Sequence, residues 1–280
     1  MGLGEHVLDL FTGGNVPIGS IMALKLKRPL KILLISLFWF GIWEIASLIV
    51  GKPLLFPSPI DVVVRLCELL ITKKFLISSL LSLARVGLGI VIAIVLGSIV
   101  ALLCSFSKIL YEIIFPFVTV VKSTPVASFI ILIWIFLNNE VTPIIISALM
   151  VFPIVFANVY QGIKSIDKSL IEVCKIYKIP TKKMVSSLYV PSVLPYFLSA
   201  LLSSIGLGWK AGIAAEVLCT PKNSIGLAIF ESKTYIEYVD LFAWTVTVII
   251  LSLIFEFLLT RLIKNLFKKY LIPNGGKNGN

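Results

Sequence analysis

The chain has 280 residues, 58% of them hydrophobic and 14% charged, with a mean hydropathy of +1.04. Soluble domains carry nearer a quarter charged residues, so this composition belongs to a bilayer protein and speaks against a cytosolic enzyme. The single histidine, His6, precedes the first apolar stretch, so histidine metal sites and general-base chemistry have almost no material in the hydrophobic body.

Cys67, Cys104, Cys174 and Cys219 are far apart and form no CxxC pair, so they read as small apolar side chains. The net charge of +11 does not point to nucleic acid. The Lys and Arg residues sit between and beside the apolar runs, which is how the positive-inside rule orients a membrane protein.

In chain order, a basic segment, 1–31, carries Lys25, Lys27, Arg28 and Lys31 and precedes a transmembrane domain predicted over 32–262. A crossing helix needs about 20 mostly apolar residues, and six such runs are predicted, at 32–50, 86–104, 111–137, 141–160, 192–209 and 241–260. The first is too long for a signal-peptide core and is read as a retained span. Between the first two, Pro57 and Pro59 open a short helix whose Val62, Val63, Leu66, Leu69 and Leu70 follow helical spacing, predicting an element along the outer interface. The tail 263–280 ends in NGGKNGN, a composition that reads as disorder.

With both termini cytoplasmic, the inner side holds sixteen basic residues: the four named above, Lys108, Lys164, Lys168, Lys175, Lys178, Lys182, Lys183, Arg261, Lys264, Lys268, Lys269 and Lys277. The outer side holds six: Lys52, Arg65, Lys73, Lys74, Lys222 and Lys233. That asymmetry supports this orientation. Arg85, Lys122 and Lys210 remain in or at the edge of spans.

The segment 162–190 is too polar for lipid yet helical in pattern. Asp167 is the predicted N-cap of a helix through Tyr177, with Leu170, Val173, Cys174 and Tyr177 on one stripe. The chain turns at Ile179-Pro180, and a second short helix carries Met184, Val185, Leu188 and Tyr189 before Pro191 opens the fifth span. Two such helices either offer a grip to a soluble subunit or pack beneath the membrane domain.

This segment resembles the cytoplasmic signature of permease subunits in ATP-binding-cassette importers of the type I fold: Glu-Ala-Ala, three residues, Gly, nine residues, Ile-x-Leu-Pro. Glu172, Val173 and Cys174 fall on the Glu-Ala-Ala positions, Lys178 on the glycine and Pro191 on the proline, with Leu188 and Val190 on Ile and Leu. Where the family has glycine, Lys178 would meet a cost on the order of 1 kcal/mol in a left-handed turn. A bend shifted to Ile179-Pro180 is the other reading.

LLFPSPIDVV, SLARVGLG, STPVASFIILIWIF, GIKSIDKSLIEVCK, GLGWKAGIAAEVL and NSIGLAI widen the resemblance to roughly 43–262 and place it in the nitrate, sulfonate and taurine branch. The resemblance implies an all-α polytopic protein of six transmembrane helices in the bacterial inner membrane. It also implies a second permease copy in a homodimer and two cytoplasmic ATPase subunits coupled through Glu172, Val173, Cys174, Tyr177, Lys178 and Pro191. An extracytoplasmic binding protein would deliver a small solute, such as nitrate, a sulfonate, taurine or a vitamin precursor. The chain itself has no GxxxxGK[ST] loop, so no cofactor is expected on it and ATP belongs to the partner subunit.

Lys122 lies inside the third run beside Ser123, Thr124 and Pro125, which predicts a lysine on the translocation path that favours anionic solutes, set against one that snorkels or pairs. Lys210 and Glu216 follow GLGW, are expected near a gate, and stand six residues apart, off any common helical face. Glu44 and Glu256 are read as structural.

The membrane component of an energy-coupling-factor transporter is the alternative, but its paired Ala-Arg-Gly helices are not found. An intramembrane hydrolase or transferase would need Asp clusters, or Ser with His, that the spans do not supply.

Overall fold

The computed structural model describes residues 28–52 and 55–266, and within them every regular element is helical. Most of the predicted segments 1–31 and 263–280 lies outside the described residues. In order the helices are α1 (Arg28–Val50), α2 (Pro59–Leu70), α3 (Lys73–Phe106), α4 (Lys108–Ser123), α5 (Val126–Phe136) and α6 (Thr142–Lys164). There follow α7 (Lys168–Ile176), α8 (Thr181–Met184), α9 (Val190–Cys219), α10 (Ile225–Thr234) and α11 (Tyr238–Leu266). A π-helical turn, Val185–Tyr189, joins α8 to α9.

Two spans outrun their apolar runs. α3 has 34 residues where hydropathy predicts 86–104, and α9 has 30 where it predicts 192–209. At 1.5 Å per residue α3 is about 51 Å long against a hydrocarbon core of about 30 Å, so its first turns, through Arg85, stand in the outer polar layer. Backbone hydrogen bonding does not stop where lipid stops, whereas hydropathy registers only the part within lipid. For the same reason Lys210 and Glu216 lie on the span helix and not after its end.

The predicted span 111–137 is two helices bent by 110°. Thr124 precedes a proline and is therefore extended, with ψ 135°, while its N–H and Oγ1 both donate to Val120 O, at 3.1 and 2.8 Å. With 16 and 11 residues, about 24 and 17 Å, neither limb crosses alone.

Together they do cross. α4 starts beside Phe106 at the inner end of α3, and Glu140, just after α5, pairs with Arg85, about 31 Å back along α3. Lys164 Nζ donates to Ser105 O at 3.1 Å, returning the end of α6 to the inner side. With the broken pair counted once, the described residues make six crossings.

The centre of the bundle is α3, α6 and α9, and glycines set its spacing. A Cβ on Gly208 would stand 2.6 Å from Val151 Cγ2 and 2.9 Å from Ile90 Cγ1, and one on Gly212 would stand 2.5 Å from Val86 Cγ2. Between membrane helices, where lipid is as apolar as Leu, such close backbone approach supplies the packing energy. Buried Trp209 donates Nε1 to Val248 O at 3.2 Å and so ties in α11.

On the outer side α2 begins as its sequence predicts. Ser58 Oγ accepts from Asp61 N at 3.1 Å, Pro59 occupies the first turn, and Val62 and Leu69 are buried. Arg65 donates to both carboxylate oxygens of Asp240, at 2.6 and 3.0 Å, fixing α2 to the start of α11.

Candidate coupling site and translocation residues

The 162–190 segment leaves the membrane as a short helix with nothing beneath its apolar side. Asp167 Oδ1 accepts from Ser169 N at 2.8 Å and caps α7, and this bond holds the Asp167 carboxyl below its ordinary pKa. Leu170 and Val173 are half exposed, while Ile176 and Tyr177 have about three-quarters of their surface exposed. Glu172 is exposed and Cys174 half-buried on the same short helix. Most of the stripe is therefore exposed, with Cys174 its half-buried member, and exposed apolar faces of this kind mark interaction surfaces.

α7 stops at Lys178, which has φ +50°. Ile179 N–H donates to Cys174 O at 2.9 Å and Lys178 N–H to Lys175 O at 3.0 Å, the two bonds that close a helix ending in a left-handed residue. The bend is thus at the motif position, with lysine accepting the glycine conformation, and has not shifted to Ile179-Pro180.

Pro191 does not open the fifth span after a break. Helical structure runs from Thr181 to Cys219, and Val190 N–H reaches back five residues to Val185 O. Widening the turn there accommodates a proline that has no N–H for the ordinary ladder and whose ring would strike the carbonyl four residues back.

Among the predicted path residues, Lys122 is exposed in the last turn of α4, and Ser123, Thr124 and Pro125 form the 110° break beside it. Lys210 is exposed while Glu216 has no exposed surface, so the six-residue offset does put them on different faces. Glu216 is enclosed: Ser82 Oγ donates to its Oε2 at 2.6 Å, Gly226 N to the same oxygen at 3.3 Å, and Arg85 Nη1 lies 3.6 Å from Oε1. Ser82, Arg85 and Glu140, which complete its cluster, were not singled out as site residues in the sequence. The available signal was Arg85, a span-edge cation without an assigned partner.

Six candidate crossings, with a capped amphipathic helix outside them, define a polytopic membrane protein. Residues 93–271 match the family of binding-protein-dependent transport system inner membrane components, and the chain belongs to it. It is a multi-pass inner-membrane subunit of an ATP-binding-cassette importer.

Similar chains include the nitrate import permease protein of Synechococcus elongatus, 29% identical over 220 residues, covering 74% of this chain and 78% of that one. The formylaminopyrimidine transport permease protein of Halalkalibacterium halodurans is 27% identical over 219 residues, covering 76% and 85%. Among solved structures, a bacterial alginate transporter in complex with its oligosaccharide-bound periplasmic protein aligns over 86% of this chain and 94% of that chain, with a TM-score of 0.53 at 15% identity. At that identity the likeness is one of fold.

Proposed function

We propose that this chain is one half of a dimeric translocation path, coupled through α7 to a cytoplasmic ATPase, for a small anionic or carboxylate-bearing solute handed over on the outer side. The observation that carries the coupling is the bare stripe of Leu170, Val173, Ile176 and Tyr177 beside Glu172, held rigid by a cap at one end and a left-handed stop at the other. Glu172, Val173, Cys174, Tyr177, Lys178 and Pro191 are its coupling residues. A push on this helix passes through the continuous Thr181–Cys219 structure into the bundle.

The solute class rests on Lys122 and Lys210, both exposed on this chain, with Lys122, Ser123, Thr124 and Pro125 at a break where backbone polar groups need a wet or protein lining. Nitrate and formylaminopyrimidine, which name the relatives' cargo, bracket the size range.

Purification in mild detergent followed by mass spectrometry tests the assembly. An ATPase and a solute-binding protein should co-purify from wild type and the ATPase should be lost from Glu172→Lys. A Glu172→Lys complex that keeps its ATPase and transports normally removes the coupling role. Uptake by Lys122→Ala should fall for anionic solutes, and unchanged affinity and rate would sink the solute assignment.

A further inference from the structure

The Glu216 cluster joins the outer ends of α3, α9 and α10 to the α5–α6 link, and its two carboxylates stand in very different solvent. Glu216 is sealed, and the first turn of α10 is seated on it: Gly226 N–H points at the carboxylate and Ile225 N–H donates to Ser82 Oγ at 2.9 Å. Gly226 packs so closely that a Cβ there would strike Glu216 and the backbone of Val217. Arg85, with 12% of its side chain exposed, stands 3.6 Å from Glu216 Oε1 without a hydrogen bond. Glu216 has no exposed surface and its Oε2 takes both the Ser82 hydroxyl and the Gly226 N–H, bonds that water cannot replace there, so this half of the cluster is fixed.

Glu140 is the other carboxylate on Arg85. Its side chain is 45% exposed, its Oε2 accepts from Arg85 Nη2, and its Oε1 accepts from Lys222 N at 2.9 Å in the turn between α9 and α10. Arg85 Nη2 also donates to Lys222 O at 2.8 Å. Glu140 has nearly half of its side chain in solvent and can be rehydrated on release, whereas Glu216, with no exposed surface, cannot. Glu140 is carried on the link that follows α5. Ile130 is the fully buried residue of that helix, with Val126, Phe129 and Ile133 packed beside it against α6 and α9, and its far end is the break at Thr124-Pro125.

We infer that Glu140 is a positioning residue, a latch that fastens the outer end of the bent α4–α5 pair to the fixed α3–α9–α10 cluster and releases it during each transport cycle. This rests on the importer reading above. When the latch is closed the α5–α6 link is held against the α9–α10 turn. When it is open, α5 swings on the Pro125 break while α10 stays seated on Glu216.

The test is amide exchange by mass spectrometry on the intact transporter complex, with and without ATP and orthovanadate, together with the ratio of solute moved to ATP hydrolysed. In the wild type the Lys222 amide should change its exchange rate at least tenfold between the two states, while Ile225 and Gly226 stay protected in both. Glu140→Gln should raise Lys222 exchange at least tenfold without nucleotide and lower the transport-to-hydrolysis ratio several-fold, with Glu140→Asp recovering part of each.

Equal Lys222 exchange in wild type and Glu140→Gln overturns the latch. So does a variant that only lowers the melting temperature and leaves the ratio intact. A wild-type complex without ATP-dependent transport overturns the importer reading and the cycle with it, and the nucleotide-free exchange comparison tells that failure apart from a failure of Glu140 to hold the turn.

Discussion

At the scale of single residues, Lys178 and Arg85 each hold a place that chemistry makes expensive. Lys178 sits at φ +50°, where its Cβ crowds the following carbonyl. Lys178→Gly should relieve about 1 kcal/mol at the end of α7, seen as roughly fivefold slower exchange of the Ile179 amide that bonds to Cys174 O. Slower exchange everywhere in α7 except at this stop would contradict it. Arg85 is the cation nearest a Glu216 that has no exposed surface, with Nη1 3.6 Å from Oε1. Arg85→Met should therefore cost about 3–5 kcal/mol in thermal unfolding of the detergent-solubilised protein, because it strands a buried charge. Adding Glu216→Gln to it should recover part of that loss, and strictly additive costs would show that the two side chains do not interact.

At the scale of elements, packing separates glycines that look alike in sequence. Gly212→Ala should destabilise the α3–α9 contact by about 1–3 kcal/mol, since the new methyl would stand 2.5 Å from Val86 Cγ2. Gly87→Ala on α3, where a Cβ would stand 3.6 Å from Phe255 Cζ, meets ordinary contact and should be neutral or slightly stabilising through helix propensity. The cap of α7 makes a pH prediction. The Ser169 N–H holds the folded Asp167 carboxyl below its ordinary range, so the stabilisation is complete above the unfolded carboxylate pKa and fades as pH falls through the lower folded value. The protection factor of the first turn of α7, its exchange relative to an unstructured peptide at the same pH, should fall on acidification in the wild type and be low already at neutral pH in Asp167→Ala. The same elements show what could be read from sequence. Periodicity and helix-opening chemistry are local, so α2 with Pro59 in its first turn, and α7 with Asp167 as its cap, appear where their spacing predicts them, while the Ser58 cap of α2 is seen only in the structure. The 110° bend hangs on one Thr-Pro step, and its angle is set by what the limbs touch. The lengths of α3 and α9 and the Glu216 cluster depend on partners 134 to 143 residues away in sequence, which hydropathy along the chain does not register.

At the scale of the whole molecule, folding and assembly use separate surfaces, and this can be checked. The bundle is held by buried groups on α3, α6, α9 and α11, none of them in α7, where no residue is buried. Substitutions on the bare stripe should leave the permease itself intact. Val173→Asp or Tyr177→Ala should shift the stability of the isolated subunit by no more than about 0.5 kcal/mol. If α7 is the proposed coupling helix, Tyr177, with 76% of its surface bare, would be an interface anchor of the kind that costs about 2 kcal/mol on truncation. By the relation of free energy to affinity that is roughly a thirtyfold weaker hold on the ATPase. Size-exclusion of the purified complex over a dilution series measures it: the variants should shed ATPase at concentrations where the wild type stays whole, at unchanged melting temperature of the permease. A parallel loss of stability and assembly would instead place α7 within the fold, and coupling would then have to enter through another surface.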